Sequence, residues 1–174
     1  MRDANIKKLV LAALMAALTY VATSIVQIPS PMQGYVNLGD CAVLLSAWVL
    51  GPLYGGAAAG VGSMLADLLS GYAHYAPGTF AIKLAMAVVA ALLFQALQRR
   101  RTPNVLLSQA VSGFAAEIIM VAGYFGYACL WLGKGLAAAA SVPGNIIQGL
   151  FGLAAAAAVY AVLSRGHALT HITR

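Results

Sequence analysis

Three carboxylates and one amine interrupt a nearly continuous apolar sequence, and they are the side chains best able to do chemistry: Asp40, Asp67, Glu117 and Lys83. A charge placed in hydrocarbon is costly, so such a residue either pairs with another group or marks the path of an ion or solute. Hydrogen-bonding and aromatic residues accompany them. Asn37 precedes Asp40, His74 and Tyr75 follow Asp67, and Tyr124 lies two turns beyond Glu117. Asn145 and Gln148 are three apart and so share one helix face.

Each position also has a plainer reading. Asp67 and Lys83 could be a helix-to-helix ion pair as readily as substrate contacts. Asp40, after Asn37, Leu38 and Gly39, suits the N-cap of a helix. His74 suits a solvated loop as well as a ligand. Tyr124, Tyr127 and Trp131 fit an interfacial aromatic belt, although Tyr124 is deep enough to line a cavity. Glu117 is harder to explain structurally, because a lone carboxylate at mid-depth needs a partner, a proton or a ligand. No catalytic set is expected. The spans hold no His/Glu metal spacing of the HExxH kind, and no Gly-xxxx-Gly-Lys-Ser/Thr phosphate loop is present. Neither a metal nor a cofactor is expected, and Cys41 and Cys129 read as small core residues.

The elements that position these residues must live in lipid. Of 174 residues, 62% are hydrophobic and 8% charged, and the mean hydropathy is +0.87; a soluble domain carries roughly a quarter charged residues. The run from Leu9 to Ile28 follows Lys7 and Lys8 but has the length of a span rather than of a cleavable signal. A polar segment with Pro29 and Pro31 comes next, and then a long apolar block. That block holds either one span plus a loop or two short helices broken at Gly51-Pro52. The expected class is an all-α integral membrane bundle forming a single domain.

Charge decides the count, because Lys and Arg in short loops stay on the cytoplasmic side. Six helices, about 6–27, 40–51, 54–71, 78–98, 105–132 and 143–164, put both termini inside. Arg2, Lys7, Lys8, Arg99, Arg100, Arg101, Arg165 and Arg174 then face the cytoplasm, with Lys134 outside. Five spans would divide that charge nearly evenly. The net charge of +6 is thus explained by topology and anionic lipid, without nucleic acid. The same topology gathers the polar residues toward the external half of the bundle. On the first helix, Ala12 with Ala16 and Ala13 with Ala17 form small-xxx-small pairs, suited to close helix packing within the bundle or against a partner subunit.

The chain resembles the S components of energy-coupling factor (ECF) transporters. The resemblance is carried by Gly34-Tyr-Val-Asn-Leu-Gly-Asp40, by Gly51-Pro52, and by Ala66-Asp-Leu-Leu-Ser-Gly-Tyr72 through Ala76-Pro-Gly-Thr79 to Lys83. This spacing is similar to the branch associated with hydroxymethylpyrimidine, pyridoxine and related rings. The resemblance implies a six-helix subunit of a bacterial or archaeal cytoplasmic membrane that captures a vitamin from outside, beneath its first external loop. It implies delivery through a transmembrane coupling subunit and two cytoplasmic ATPases, with the Ala12, Ala13, Ala16 and Ala17 region docking on the coupling subunit. The site expected from residues and resemblance together is Asn37, Asp40, Asp67, His74, Tyr75, Lys83, Glu117, Tyr124, Asn145 and Gln148. A solitary secondary transporter of a small polar solute is the alternative, with Asp67, Lys83 and Glu117 as a proton path; no internal repeat supports it.

Overall fold

The computed structural model describes residues 2–30 and 33–166. Arg174 and the side chain of Arg2, both assigned above to the cytoplasmic face, lie outside what is described. Five helices carry the fold: α1 (Arg2–Ile25), α2 (Gly39–Leu69), α3 (Ala76–Gln98), α4 (Val105–Gly126) and α5 (Val142–Arg165). Helix α4 runs on through a π turn, Tyr127–Trp131, and a 3₁₀ segment, Gly135–Ser141, leads into α5. With these extensions included, five described helices are long and apolar enough to cross a membrane.

The two helices expected at 40–51 and 54–71 form one element with a break inside it. Gly51 adopts φ 77° and ψ −174°, a conformation that favours glycine, and Pro52 follows. The bend is sharp. A Cβ at Gly55 would lie 2.4 Å from the Ser46 carbonyl oxygen, whereas nine residues of straight helix would separate these positions by roughly 13 Å. The limbs 39–50 and 52–69 therefore turn back against each other, and the Ser46 hydroxyl reaches the Gly55 carbonyl at 3.2 Å.

The all-α expectation needs one addition. The polar segment after α1 is a β-hairpin, β1 (Gln27–Ser30) with β2 (Gly34–Asn37), antiparallel and paired Gln27 to Asn37 and Ile28 to Val36. Proline removes a backbone donor, which an edge of a two-stranded ribbon tolerates; Pro29 stands opposite Tyr35. The hairpin closes one end of the bundle.

The core lies where α2 and α3 meet α4 and α5, around Val43, Leu44, Met86, Ala90, Ala116 and Met120. Trp48 packs on Phe94 and Tyr160 at centroid distances of 5.9 and 6.0 Å, and its indole N–H donates to Ser112 Oγ at 3.1 Å. Small residues decide how closely the helices approach. A Cβ at Gly62 would meet the Ala16 carbonyl oxygen at 2.4 Å, so the Ala12/Ala16 edge of α1 is used inside the bundle, where Ala12 is buried. Ala13 and Ala17 are exposed, on a flank that also presents Leu9, Leu14 and Leu18.

This packing has a measurable consequence. Gly62→Val should lower stability by about 1–3 kcal/mol through overpacking, read as a drop in the thermal unfolding midpoint in detergent. Gly126→Ala, which meets nothing within 4 Å, should leave it unchanged; equal midpoints for the two variants would refute the α1–α2 contact.

Candidate functional site

The site begins at the first turn of α2. Asp40 is fully buried and Lys83, from α3, is 2% exposed. The ammonium of Lys83 donates to Asp40 Oδ1, and Gln148 Nε2 of α5 donates to Oδ2 at 2.7 Å. Gln148 Oε1 in turn accepts the backbone N–H of Asn37 at 2.8 Å. One carboxylate thus ties α2, α3, α5 and the hairpin into a single network. Asp40 is not the N-cap: Leu38 holds that position, and the Asn37 side chain accepts the Gly39 N–H at 2.8 Å. The negative charge still lies in the first turn, where the helix dipole favours it.

The partner of Lys83 also differs from the sequence expectation. Asp67, near the C-terminal end of α2, does not pair with Lys83; its Oδ1 accepts from the Tyr35 hydroxyl at 2.6 Å. Asp40 and Lys83 lie on adjacent helices with 43 residues between them, and that proximity depends on the fold-back at Gly51. Burial, then the charge of Asp67, raises the pKa of the Tyr35 phenol above its ordinary value, so it remains a donor. A second tie, from Gln27 Nε2 to Ser70 Oγ at 3.0 Å, fixes the other strand of the hairpin.

Between the hairpin and the ends of α2, α3, α4 and α5 lies a polar chamber. Of the residues expected from sequence, Asn37, Asp67, Tyr75, Lys83, Tyr124, Asn145 and Gln148 line it, and Asp40 stands directly behind Lys83 and Gln148. The sequence reading missed Thr23, Ser30, Tyr35, Ser63, Thr79 and Ser141. Two of these carried a usable signal, since Ser63 and Thr79 each lie four residues, one helical turn, before Asp67 and Lys83. Tyr35, Tyr75 and Tyr124 supply aromatic walls, the last with its hydroxyl 3.1 Å from Thr79 Oγ1 and its ring 5.5 Å from the Lys83 ammonium. At the rim, the Lys134 ammonium donates to the Tyr75 hydroxyl at 3.2 Å. Free space within the chamber is about 40 Å³, enough for a few waters but not for an organic ring unless side chains or the hairpin move.

Two expected residues lie elsewhere. His74 is exposed, its ring 4.8 Å from that of Tyr75 and its carbonyl accepting from the Tyr127 hydroxyl at 2.9 Å. Glu117 is buried but lines a separate apolar cleft between α4 and α5. Depth along the helix had suggested the chamber; the angular position on α4 turns the residue away from it.

An apolar helical bundle with a small, mixed-polarity chamber at one end defines a multi-pass membrane protein. Residues 3–165 match the model of the family described as ECF-type riboflavin transporter, S component. The chain belongs to this family of transporter S components. The matching description names riboflavin and not the hydroxymethylpyrimidine or pyridoxine branch. A solved structure, described as the structure and mechanism of the S component of a bacterial ECF transporter, superposes with a TM-score of 0.67. The match covers 92% of this chain and 97% of that one at 18% identity, and so bears on fold alone. An uncharacterized protein in the gap 3′ region of Pyrococcus woesei is 38% identical over 137 residues, covering 76% of this chain and 85% of that protein.

The Asp40–Lys83 pair generates a double-mutant test. Removing one member of a buried pair strands the other and costs about 3–5 kcal/mol, so Lys83→Met and Asp40→Asn should each lower the unfolding midpoint sharply. The double variant should be more stable than the sum of the two losses predicts; strict additivity would show that the groups do not act as a pair.

Proposed function

We propose that this chain is the substrate-capture subunit of an ECF-type ABC importer, binding an uncharged, hydroxyl-bearing ring vitamin in the chamber beneath the hairpin. The observation that carries this reading is the chamber's lining. Tyr35, Tyr75 and Tyr124 offer faces for a flat ring, while Asn145, Thr79 and Ser141 offer neutral hydrogen-bond partners for hydroxyls and ring nitrogens. The one ammonium in the lining is held by Asp40, which argues against a strongly anionic substrate. Riboflavin fits this chemistry, and the description of the matching family supports it. A second reading is a single-ring compound of the pyridoxine or hydroxymethylpyrimidine kind, which would need a smaller displacement of the lining than a three-ring flavin.

The fold-back at Gly51 supports counting limbs 39–50 and 52–69 as two crossings, hence six with both termini cytoplasmic. Arg99, Arg100, Arg101 and Arg165 then lie on the cytoplasmic side, and the hairpin faces outward. The proposed setting is the cytoplasmic membrane of a bacterium or archaeon, and the Pyrococcus relative is in keeping with it. ATP hydrolysis belongs to two partner ATPases and not to this chain. The coupling subunit docks on α1 through the exposed Ala13 and Ala17 flank, since Ala12 and Ala16 are turned toward α2.

Binding to the purified chain should be measured by quenching of flavin fluorescence, with pyridoxine and hydroxymethylpyrimidine as competitors. Riboflavin is expected to bind, and Asn145→Ala to weaken it by about tenfold, the worth of one good hydrogen bond. Direct binding of a single-ring compound, read by titration calorimetry, with no flavin binding would establish the second reading; no binding of any of the three would sink both.

Docking is tested separately. Ala13→Trp combined with Ala17→Trp should leave vitamin affinity within about twofold and abolish uptake in cells carrying the coupling subunit and ATPases. Uptake by the chain alone, unaffected by those partners, would assign it instead as a solitary secondary transporter.

A further inference from the structure

The cleft between α4 and α5 has no part in the reading above. The two helices touch closely at one end, where a Cβ on Gly113 would lie 2.3 Å from Leu153 Cδ1. Beyond that contact they part around a cavity of about 400 Å³ bounded by Phe114, Ile118, Val121, Phe125, Ile146 and Leu150. Phe114, Ile118 and Leu150 are 58, 53 and 57% exposed, so the cleft opens sideways on the apolar flank of the bundle, toward lipid.

At its floor lies Glu117, 7% exposed, with neither carboxyl oxygen hydrogen-bonded. Gly149 makes room for this group: a Cβ there would stand 2.8 Å from Glu117 Oε2. No other residue lining the cleft has a polar side chain. The wall therefore offers acceptors; Asp40 and Lys83 lie within electrostatic reach of Glu117 but pair with each other, so that an ionised Glu117 has no counter-ion of its own. An ammonium supplies both missing things, a counter-charge and several N–H donors. The remaining surface calls for an apolar body, and the volume lies in the range of small-molecule pockets. An apolar partner helix would leave both carboxyl oxygens unmet, because its backbone N–H groups are already bonded within the helix.

We propose that the α4–α5 cleft is a second ligand site, which takes a membrane-borne amphiphilic amine with its ammonium on Glu117 and its hydrocarbon along the cleft. Access is lateral, from the bilayer, and independent of the hairpin.

The test is photolabelling of the purified full chain in phosphatidylcholine nanodiscs, with a dodecylamine that carries a diazirine in its chain. Labels should concentrate on segments 114–125 and 146–153, and excess dodecylamine should displace them at least tenfold better than dodecanol. Glu117→Gln and, with the carboxylate intact, the cleft-filling Ala122→Trp should each reduce labelling there at least fivefold. Protection by phosphatidylethanolamine would assign the amine to a lipid headgroup, and absence of protection to a free amphiphile. Labels spread over every lipid-facing helix and unchanged in both variants would overturn the site, and equal competition by dodecanol would overturn the ammonium. Flavin binding by Ala122→Trp keeps this result separate from the reading of the chamber, and its retention is expected.

Discussion

Everything at the hairpin end of this protein depends on one buried ion pair. Asp40 and Lys83 are 0% and 2% exposed, and either alone would be a severe liability in a low-dielectric interior. Together they require α2 and α3 to hold a fixed register. The second oxygen of Asp40 recruits Gln148 from α5, and through it the hairpin backbone at Asn37. Four elements are thereby oriented by one carboxylate, and chamber residues on each of them inherit their positions from it. The pair also cancels its own charge and leaves Asp67 as the remaining acid in the described lining, which disfavours an anionic ligand.

Packing elsewhere follows from the surrounding solvent. Hydrocarbon side chains gain little by leaving lipid for a protein core, so helices associate through close contact between small residues. Gly62 against Ala16, Gly55 against Ser46 and Gly113 against Leu153 are such contacts. They draw the helices together at chosen points. Where bulk replaces glycine, as around Phe114 and Phe125, the helices part and space is left between them.

Much of this was legible in the sequence, because the features involved are local. Hydropathy gave the long helices, Gly51-Pro52 marked the bend, and polar interruptions picked out half of the chamber lining. The partner of Lys83 was not legible. Asp67 is nearer in sequence than Asp40, and only the fold-back at Gly51 carries Asp40 to α3. The hairpin was hidden by Pro29 and by the shortness of its strands, since four residues carry too little alternation to register. The side to which Glu117 turns, the α4–α5 cleft, was not legible, because α4 is apolar almost all round and a helix without a polar face does not reveal which side is inward.

The hairpin's attachments set how often the chamber is open. Tyr35 to Asp67, Asn37 to Gln148 and Gln27 to Ser70 are the side-chain bonds described here that tie the hairpin to α2 and α5. Bonds of this kind contribute net stabilisation of about 1 kcal/mol each, somewhat more where a carboxylate accepts, so the closure amounts to roughly 3–5 kcal/mol. That corresponds to an unfastened fraction on the order of one molecule in a few hundred to a few thousand. At that fraction, lifting the hairpin would need thermal motion alone and no external energy source. The apparent affinity for any ligand needing the lifted form is lowered by that fraction, and loss of the Gln27–Ser70 bond, whose partners lie outside the chamber lining, would tighten capture while leaving every ligand contact unchanged.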